Sequence, residues 1–344
     1  MIKRLTLIAV TLLFAASARA EKNKLNLYIW SEYMDPKIIE QFSKENDCKV
    51  TIDLFEDLES MMAKLQAGGT SLYDIVWPSD YIVQPLIKNG LLAPLRKENI
   101  PNLKNVDPKF MDREYDPGNK YTTPYLWGTV GIYMRKKPGE TVDETWGLLF
   151  DPKKSIGSFL LMDDARAMIG AALKYKGYSL NSIDKKQLKE ARDVLIESKK
   201  RSIGFDGGVG IKNKVLAKVC RLGVVYNGDA VRGMKDDPDT YYFVPREGTE
   251  IWLDNMAVPS KAPNREMAEK FINYILDAKI GAQLANFIQY ATPNTAARPY
   301  LNEADLKNTA IYPTEEQMKV LEFIKDLGAK TAWYDELWTS IKSK

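Results

Sequence analysis

Between Leu25 and Pro259 short β-type runs alternate with amphipathic helical stretches, and nothing else in the chain constrains its fold so strongly. Such alternation builds strands side by side with helices over their faces, an α/β arrangement of mostly parallel sheets. KLNLYIW and YDIVW read as strands, as do SFLLM, LGVVYNG, YYFVP and EIWLDNMAVP. Helices open at Asp35-Pro36 and at Asp57, because an N-cap Asp satisfies an orphan amide and a first-turn Pro presets φ. Gly68-Gly69 is the expected stop of the second. Asp163 is expected to cap a helix running through Lys176, with Gly177 after it. After Pro259 the pattern is helical almost to the end, and no repeat, low-complexity tract or long linker interrupts it.

The first stretch, MIKRLTLIAVTLLFAASARA, has a basic start, an apolar run and small residues ending Ala18-Arg19-Ala20. It is expected to be a secretory leader over 1–20, cleaved after Ala20, and no cysteine follows the apolar run to carry a lipid anchor. A periplasmic location is the consequence. No later segment is apolar for long enough to cross a bilayer. The remaining residues, about 320, exceed one comfortable core, so two lobes are expected.

Lys and Arg number 49 against 46 Asp and Glu, but Lys3, Arg4 and Arg19 leave with the leader, which takes the balance from +3 to 0. The basic balance therefore carries no argument for nucleic acid. Clusters such as Lys199-Lys200-Arg201 end a polar helix and read as a solvated face. The chain has 0 histidines. That excludes Ser-His-Asp and Cys-His nucleophile activation, His-ligated zinc and imidazole acid/base chemistry. Cys48 and Cys220 are expected in different lobes as buried thiols.

Aromatics and carboxylates gather at strand ends: Trp30 to Tyr33 in LYIWSEYMDP, Ser79 to Tyr81, Asp163-Asp164, and Tyr226 to Asp229. In open α/β sheets ligands bind beyond the carboxyl ends of strands. An aliphatic diammonium needs carboxylates for its ends and flat walls for its methylenes. Aromatic faces attract cations at roughly 0.5–2 kcal/mol each and also cover CH₂ groups. Trp30, Glu32, Tyr33, Tyr81, Asp164, Tyr226, Asp229, Trp252, Asp254 and Tyr290 supply both residue types. Each has a plainer reading. Tyr and Trp beside strands are usually core or rim packing. Asp163 reads as a helix cap, Asp164 as a first-turn carboxylate and Asp229 as a cap of the DAVRGMK helix. Asp254, inside the apolar strand IWLDNMAV, is harder to dismiss, since an unpaired buried carboxylate is costly.

At these residues the chain resembles the polyamine-binding proteins, soluble receptors of bacterial spermidine/putrescine ABC importers. The matching segments run in the family's order: IWSEYMDP, YDIVWPSDYIV, YTTPYLWGTVGIYM, LLMDDARAM, VVYNGDA, IWLDNMAVP and YATPNTAAR. The resemblance implies a type II periplasmic binding-protein fold, two α/β lobes around a ligand cleft joined by crossing hinge strands. It divides the chain into 24–127 with 255–300 as lobe I, and 132–250 with 304–344 as lobe II. Trp30, Ser31, Glu32 and Tyr33 would line the cleft from the first lobe with Ser79 and Tyr81; Asp164, Tyr226, Trp252, Asp254 and Tyr290 correspond to further contacts. Asp229, after NG, resembles the putrescine-type pattern. Where the family usually carries a glutamate three residues beyond Asp164 this chain has Ala167, and Ile324 stands where spermidine-type members place a glutamine. Those two losses weaken the expected recognition of a third nitrogen.

The expected function is thus capture of putrescine or spermidine for a membrane permease, by a monomer with no cofactor, metal, catalytic residue or nucleic-acid partner. Glu32 and Asp164 would meet ammonium groups from opposite lobes, Asp229 with Asp254 would form the other acidic end, and Trp30 and Trp252 would sandwich the methylenes. Three other readings share parts of the pattern. The same fold carries iron, thiamine, amino acids or anions; a carboxylate-pair glycosidase also sets Trp beside acids; and a sensor would keep the same cleft.

Overall fold

The computed structural model describes residues 23–344. The expected leader over 1–20 lies outside them. β1 (Asn23–Trp30) alternates so that Leu25, Leu27 and Ile29 are buried. α1 (Pro36–Glu45) follows with Asp35 as N-cap, its Oδ1 accepting the Lys37 amide at 2.9 Å. β2 (Cys48–Phe55), α2 (Leu58–Gln66), β3 (Ile75–Val76) and α3 (Asp80–Lys88) complete this first side. Asp57 caps α2 as its sequence position predicts, and the chain leaves that helix through Gly68 at φ +107, a conformation that suits glycine.

A long strand, β4 (Thr122–Arg135), then opens a second βα succession: α4 (Gly147–Phe150), β5 (Phe159–Met162), α5 (Ala165–Tyr175), α6 (Lys185–Arg201), β6 (Gly204–Asp206), α7 (Gly208–Leu216), β7 (Leu222–Tyr226), α8 (Asn227–Asp236) and β8 (Thr240–Phe243). β9 (Glu250–Ala257) returns to the first side. α9 (Arg265–Ile275), α10 (Ala278–Ile288), the single-turn α11 (Glu303–Leu306) and α12 (Glu315–Met318), β10 (Glu322–Phe323) and α13 (Thr331–Ser343) end the chain.

All strands join one mixed sheet in the order β2-β1-β3-β9-β4-β7-β5-β6, with β10 beside β9 and β8 beside β4. β1, β2 and β3 are mutually parallel on one side, as are β7, β5 and β6 on the other. Between them β4 and β9 run antiparallel to each other and to β7 and β3 respectively. Residues Thr122 to Thr129 of β4 pair with β9, and from Val130 onward the same strand pairs with β7 and β8. One strand thus belongs to both sides. Its sequence TTPYLWGTVGIYMR is buried up to Met134, as expected where both faces of a sheet are covered. Pro124 sits at a register shift, where its missing N–H breaks no ladder bond.

The sheet is therefore parallel only at its flanks, and the antiparallel centre is the main departure from the sequence-based expectation. β2, β4 and β6 were not identified as strands, and of YDIVW only Ile75–Val76 pairs. Cys48 opens β2 and Cys220 precedes β7; both are buried, on opposite sides of the sheet. Lys199 and Arg201 do not form a solvated face. The Lys199 ammonium donates to the Ile341 and Lys342 carbonyls of α13 and Arg201 to the Leu149 carbonyl, so they tie helices together. Among the described residues no helix is long and apolar enough to cross a membrane.

Candidate functional site

A cleft of about 810 Å³ opens beside the central strands, and every residue singled out from the sequence lines it. Trp30 ends β1, and Ser31, Glu32 and Tyr33 form the turn into α1. Ser79 and Tyr81 flank the start of α3, Asp164 caps α5, Tyr226 ends β7, Asp229 lies in the first turn of α8, Trp252 and Asp254 stand on β9, and Tyr290 follows α10. Residues from six separate segments thus converge, as the strand-end argument requires.

Asp254 sits at the centre with 6 % of its surface exposed. Its Oδ2 accepts the Tyr33 hydroxyl at 2.8 Å and its Oδ1 accepts the Ser79 hydroxyl. Burial pushes its carboxyl up to about 6, against the lowering effect of those two donors. Neutral hydroxyls orient the acid without cancelling its charge, so it stays able to pair with a cation.

At one end of the cleft an arginine bridges two acids. Arg232 donates to Asp229 Oδ1 and, at 3.3 Å, to Glu32 Oε2, while its other terminal nitrogen donates to the Ile288 carbonyl at 2.9 Å. Asp229 is 4 % exposed, and burial raises its carboxyl despite the nearby Arg232 and Lys212. Glu32 holds a left-handed backbone, φ +51, a conformation that costs a non-glycine residue on the order of 1 kcal/mol or more. Glu32 thus shares a cation with Asp229.

The other end gathers around Asp164. Its Oδ1 accepts the Ala167 amide at 2.9 Å and its Oδ2 the Tyr226 hydroxyl at 3.1 Å. Asp164 is thereby the N-cap of α5, the role expected of Asp163, which instead meets the Lys342 ammonium at 2.6 Å. Asp229 is likewise not a cap, since Tyr226 holds that position in α8. The Tyr81 hydroxyl donates to Glu59 at 3.4 Å. Burial foremost, with the charges of Asp164 and Asp57, raises the Glu59 carboxyl. Arg166 lies near the Tyr81 ring, 5.8 Å to its centroid, and donates to the Lys325 carbonyl and to Asn181.

Rings form the walls. Trp252 meets Tyr290 edge-on at 5.0 Å and Tyr226 at 6.1 Å, and Trp30 leans on Phe55 at 4.5 Å. Two glycines make this packing feasible. A Cβ on Gly128 would come within 2.5 Å of the Trp252 ring, and one on Gly228 within 2.5 Å of the Tyr290 ring.

Several lining residues escaped the sequence reading. Glu250 was legible, since it alternates with Trp252 and Asp254 along one strand and must share their face. Arg232 stands three residues after Asp229 on a helix, a spacing that brings side chains together. Glu59, Arg166, Asp335 and Trp338 carried no local signal; α13 reaches the cleft only through tertiary packing. Ile324 lines the cleft, whereas Ala167 is buried in α5. Among the described residues ten carboxylates line the cleft against two guanidinium groups, Arg166 and Arg232, and no lysine.

Comparison with known proteins agrees with this architecture. The model of the bacterial extracellular solute-binding protein family matches residues 37–314. The spermidine/putrescine-binding periplasmic protein of Escherichia coli (strain K12) is 34% identical over 339 residues, spanning 97% of this chain and 96% of that one. The putrescine-binding periplasmic protein SpuD of Pseudomonas aeruginosa (strain UCBPP-PA14) is 34% identical, covering 98% of each. Among solved structures, the spermidine/putrescine ABC transporter substrate-binding protein PotD of Streptococcus pneumoniae superposes with a TM-score of 0.82 at 33% identity, over 93% of this chain and 99% of that one. With a two-sided α/β fold, a cleft at its central strands and relatives matched almost end to end, the chain belongs to the bacterial extracellular solute-binding protein family.

Proposed function

We propose that the protein is a periplasmic receptor that binds a polyamine and delivers it to the permease of an ABC importer. The observation that carries this reading is the charge of the cleft: ten carboxylates against two guanidinium groups, between aromatic walls. An anion would call for the reverse balance. Asp254 is the central ammonium receptor, Asp164 and the Glu32–Arg232–Asp229 group stand at the two ends, and Trp30, Trp252, Tyr226 and Tyr290 cover the methylenes. Ser31, Tyr33, Ser79 and Tyr81 orient the acids or close the rim. No cofactor or catalytic step belongs to this reading, and the protein acts as a monomer exported by its leader.

Residues 24–127 with 255–300 and residues 132–250 with 304–344 would move as two lobes about β4 and β9. Ligand would favour the closed form because Glu32 and Ser31 contact it from one lobe and Asp164 and Asp229 from the other. Calorimetry of the purified protein with putrescine, cadaverine, spermidine, glutamate and a neutral sugar tests it. Saturable binding confined to the amines is expected; binding of glutamate or the sugar with no response to any amine would end the proposal.

A further inference from the structure

β9 presents Glu250, Trp252 and Asp254 to the cleft. Alternate residues of a strand share a face, and four steps of about 3.3 Å set the first and last backbone positions about 13 Å apart. A flat ring lies between two acids. Asp254 already accepts two hydroxyls. Glu250 differs: among the described residues its carboxylate has neither a hydrogen-bond donor nor an ion-pair partner. Arg166, whose charge lowers the Glu250 carboxyl, is held by Asn181 and the Lys325 carbonyl. On the adjoining β10, Glu322 turns instead to Lys174 at 3.0 Å. An acid facing an enclosed cleft without donor or cation is costly to keep ionised.

We propose that Glu250 is a specificity-determining ligand contact: it receives a nitrogen beyond the reach of a four-carbon diamine seated at Asp254, so that the row Glu250–Trp252–Asp254 selects triamines over diamines. The assignment rests on the polyamine reading above. It also restores, from a different strand, the capacity for a third nitrogen that the residues at 167 and 324 lack.

The surroundings of Glu250 add a signature. Burial, then the charges of Asp164, Asp80 and Asp254, hold its carboxyl well above the ordinary range, and Arg166 alone opposes them. The Tyr81 and Tyr226 phenols nearby are raised too, so they stay neutral and supply no charge. In the empty cleft these surroundings favour the protonated form of Glu250 over what an exposed carboxylate would show. An arriving ammonium displaces that proton: the O–H bond breaks, the carboxylate keeps the electron pair and accepts the ammonium N–H, and the proton passes to solvent.

Calorimetry of the full chain with putrescine and with spermidine, at pH 7 in two buffers of different ionisation heat, tests this. Spermidine binding is expected to release more protons than putrescine binding. E250Q is expected to weaken spermidine by on the order of tenfold or more, putrescine by a smaller factor, and to abolish the difference in proton release. Equal proton release by the two amines in the unaltered protein would overturn the assignment, and that measurement decides even if E250Q does not fold. So would equal weakening of both amines in E250Q. Binding of no amine at all would instead defeat the functional reading on which the assignment rests.

Discussion

The Tyr33 hydroxyl donates to Asp254 Oδ2 at 2.8 Å, joining two residues 221 positions apart. Tyr33 is itself fixed from behind, its carbonyl accepting the Tyr125 hydroxyl at 2.7 Å from β4. The first turn of the chain and both central strands are thus locked to one carboxylate, which arrives at the cleft already oriented.

Asp254→Asn removes the charge and keeps the size. Truncating one partner of a desolvated charge pair costs about 2–5 kcal/mol, so putrescine and spermidine affinity should fall by more than tenfold. Calorimetry on the folded variant, with fold checked by circular dichroism, measures it.

Affinity should depend on acidity in a defined window. The Asp254 carboxyl titrates near 6 in the empty cleft, while aliphatic ammonium groups stay charged throughout. Below that value the ligand must displace a proton, so binding should weaken by up to about tenfold per pH unit between 6 and 4. A dissociation constant that is flat across this interval would contradict the role given to Asp254.

Stability without ligand should run the other way. Asp80 is 2 % exposed behind the cleft, its Oδ1 accepts the Tyr81 amide, its Oδ2 has no partner, and burial pushes its carboxyl up to about 8. The folded state then holds a proton that the unfolded chain releases near pH 4. This stabilisation is complete below pH 4 and is lost as pH rises toward 8. Asp80→Asn should flatten the upper part of that fall and exceed the unaltered protein at pH 8.5 by about 2–4 kcal/mol, read by urea titration.

Gly228→Ala tests the aromatic wall. The new Cβ would press on the Tyr290 ring, and overpacking of this kind costs about 1–3 kcal/mol. Thermal unfolding should show that loss, and amine affinity should drop with it because Tyr290 packs on Trp252.

Arg232→Met strips the cation from Asp229. Breaking a buried pair by removing one partner costs about 3–5 kcal/mol. The double variant Asp229→Asn with Arg232→Met should recover much of it, and denaturant titration of the four proteins gives the coupling.

Much of this site was legible because its residues sit at strand ends and along one alternating strand. LYIWSEY and IWLDNMAV by themselves set Trp30 and Glu32 at a strand end and Trp252 and Asp254 on one alternating face. What escaped was non-local. The antiparallel course of β4 depends on which strands flank it, and its continuous apolar run reads equally as a parallel core strand. The second acid of DD became the cap because its side chain, not that of Asp163, reaches the Ala167 amide. The bridge of Arg232 from Asp229 to Glu32 depends on residues 200 positions apart, beyond any spacing rule.

β9 is made late yet completes a sheet begun at Asn23. Until residues 250–257 have left the ribosome, β3 lacks its second neighbour and β4 has an open edge. Neither side can therefore finish during synthesis of its own residues alone, and a gene cut between them would yield fragments with raw edges prone to aggregate. The interleaving ties the completion of both sides to one late strand.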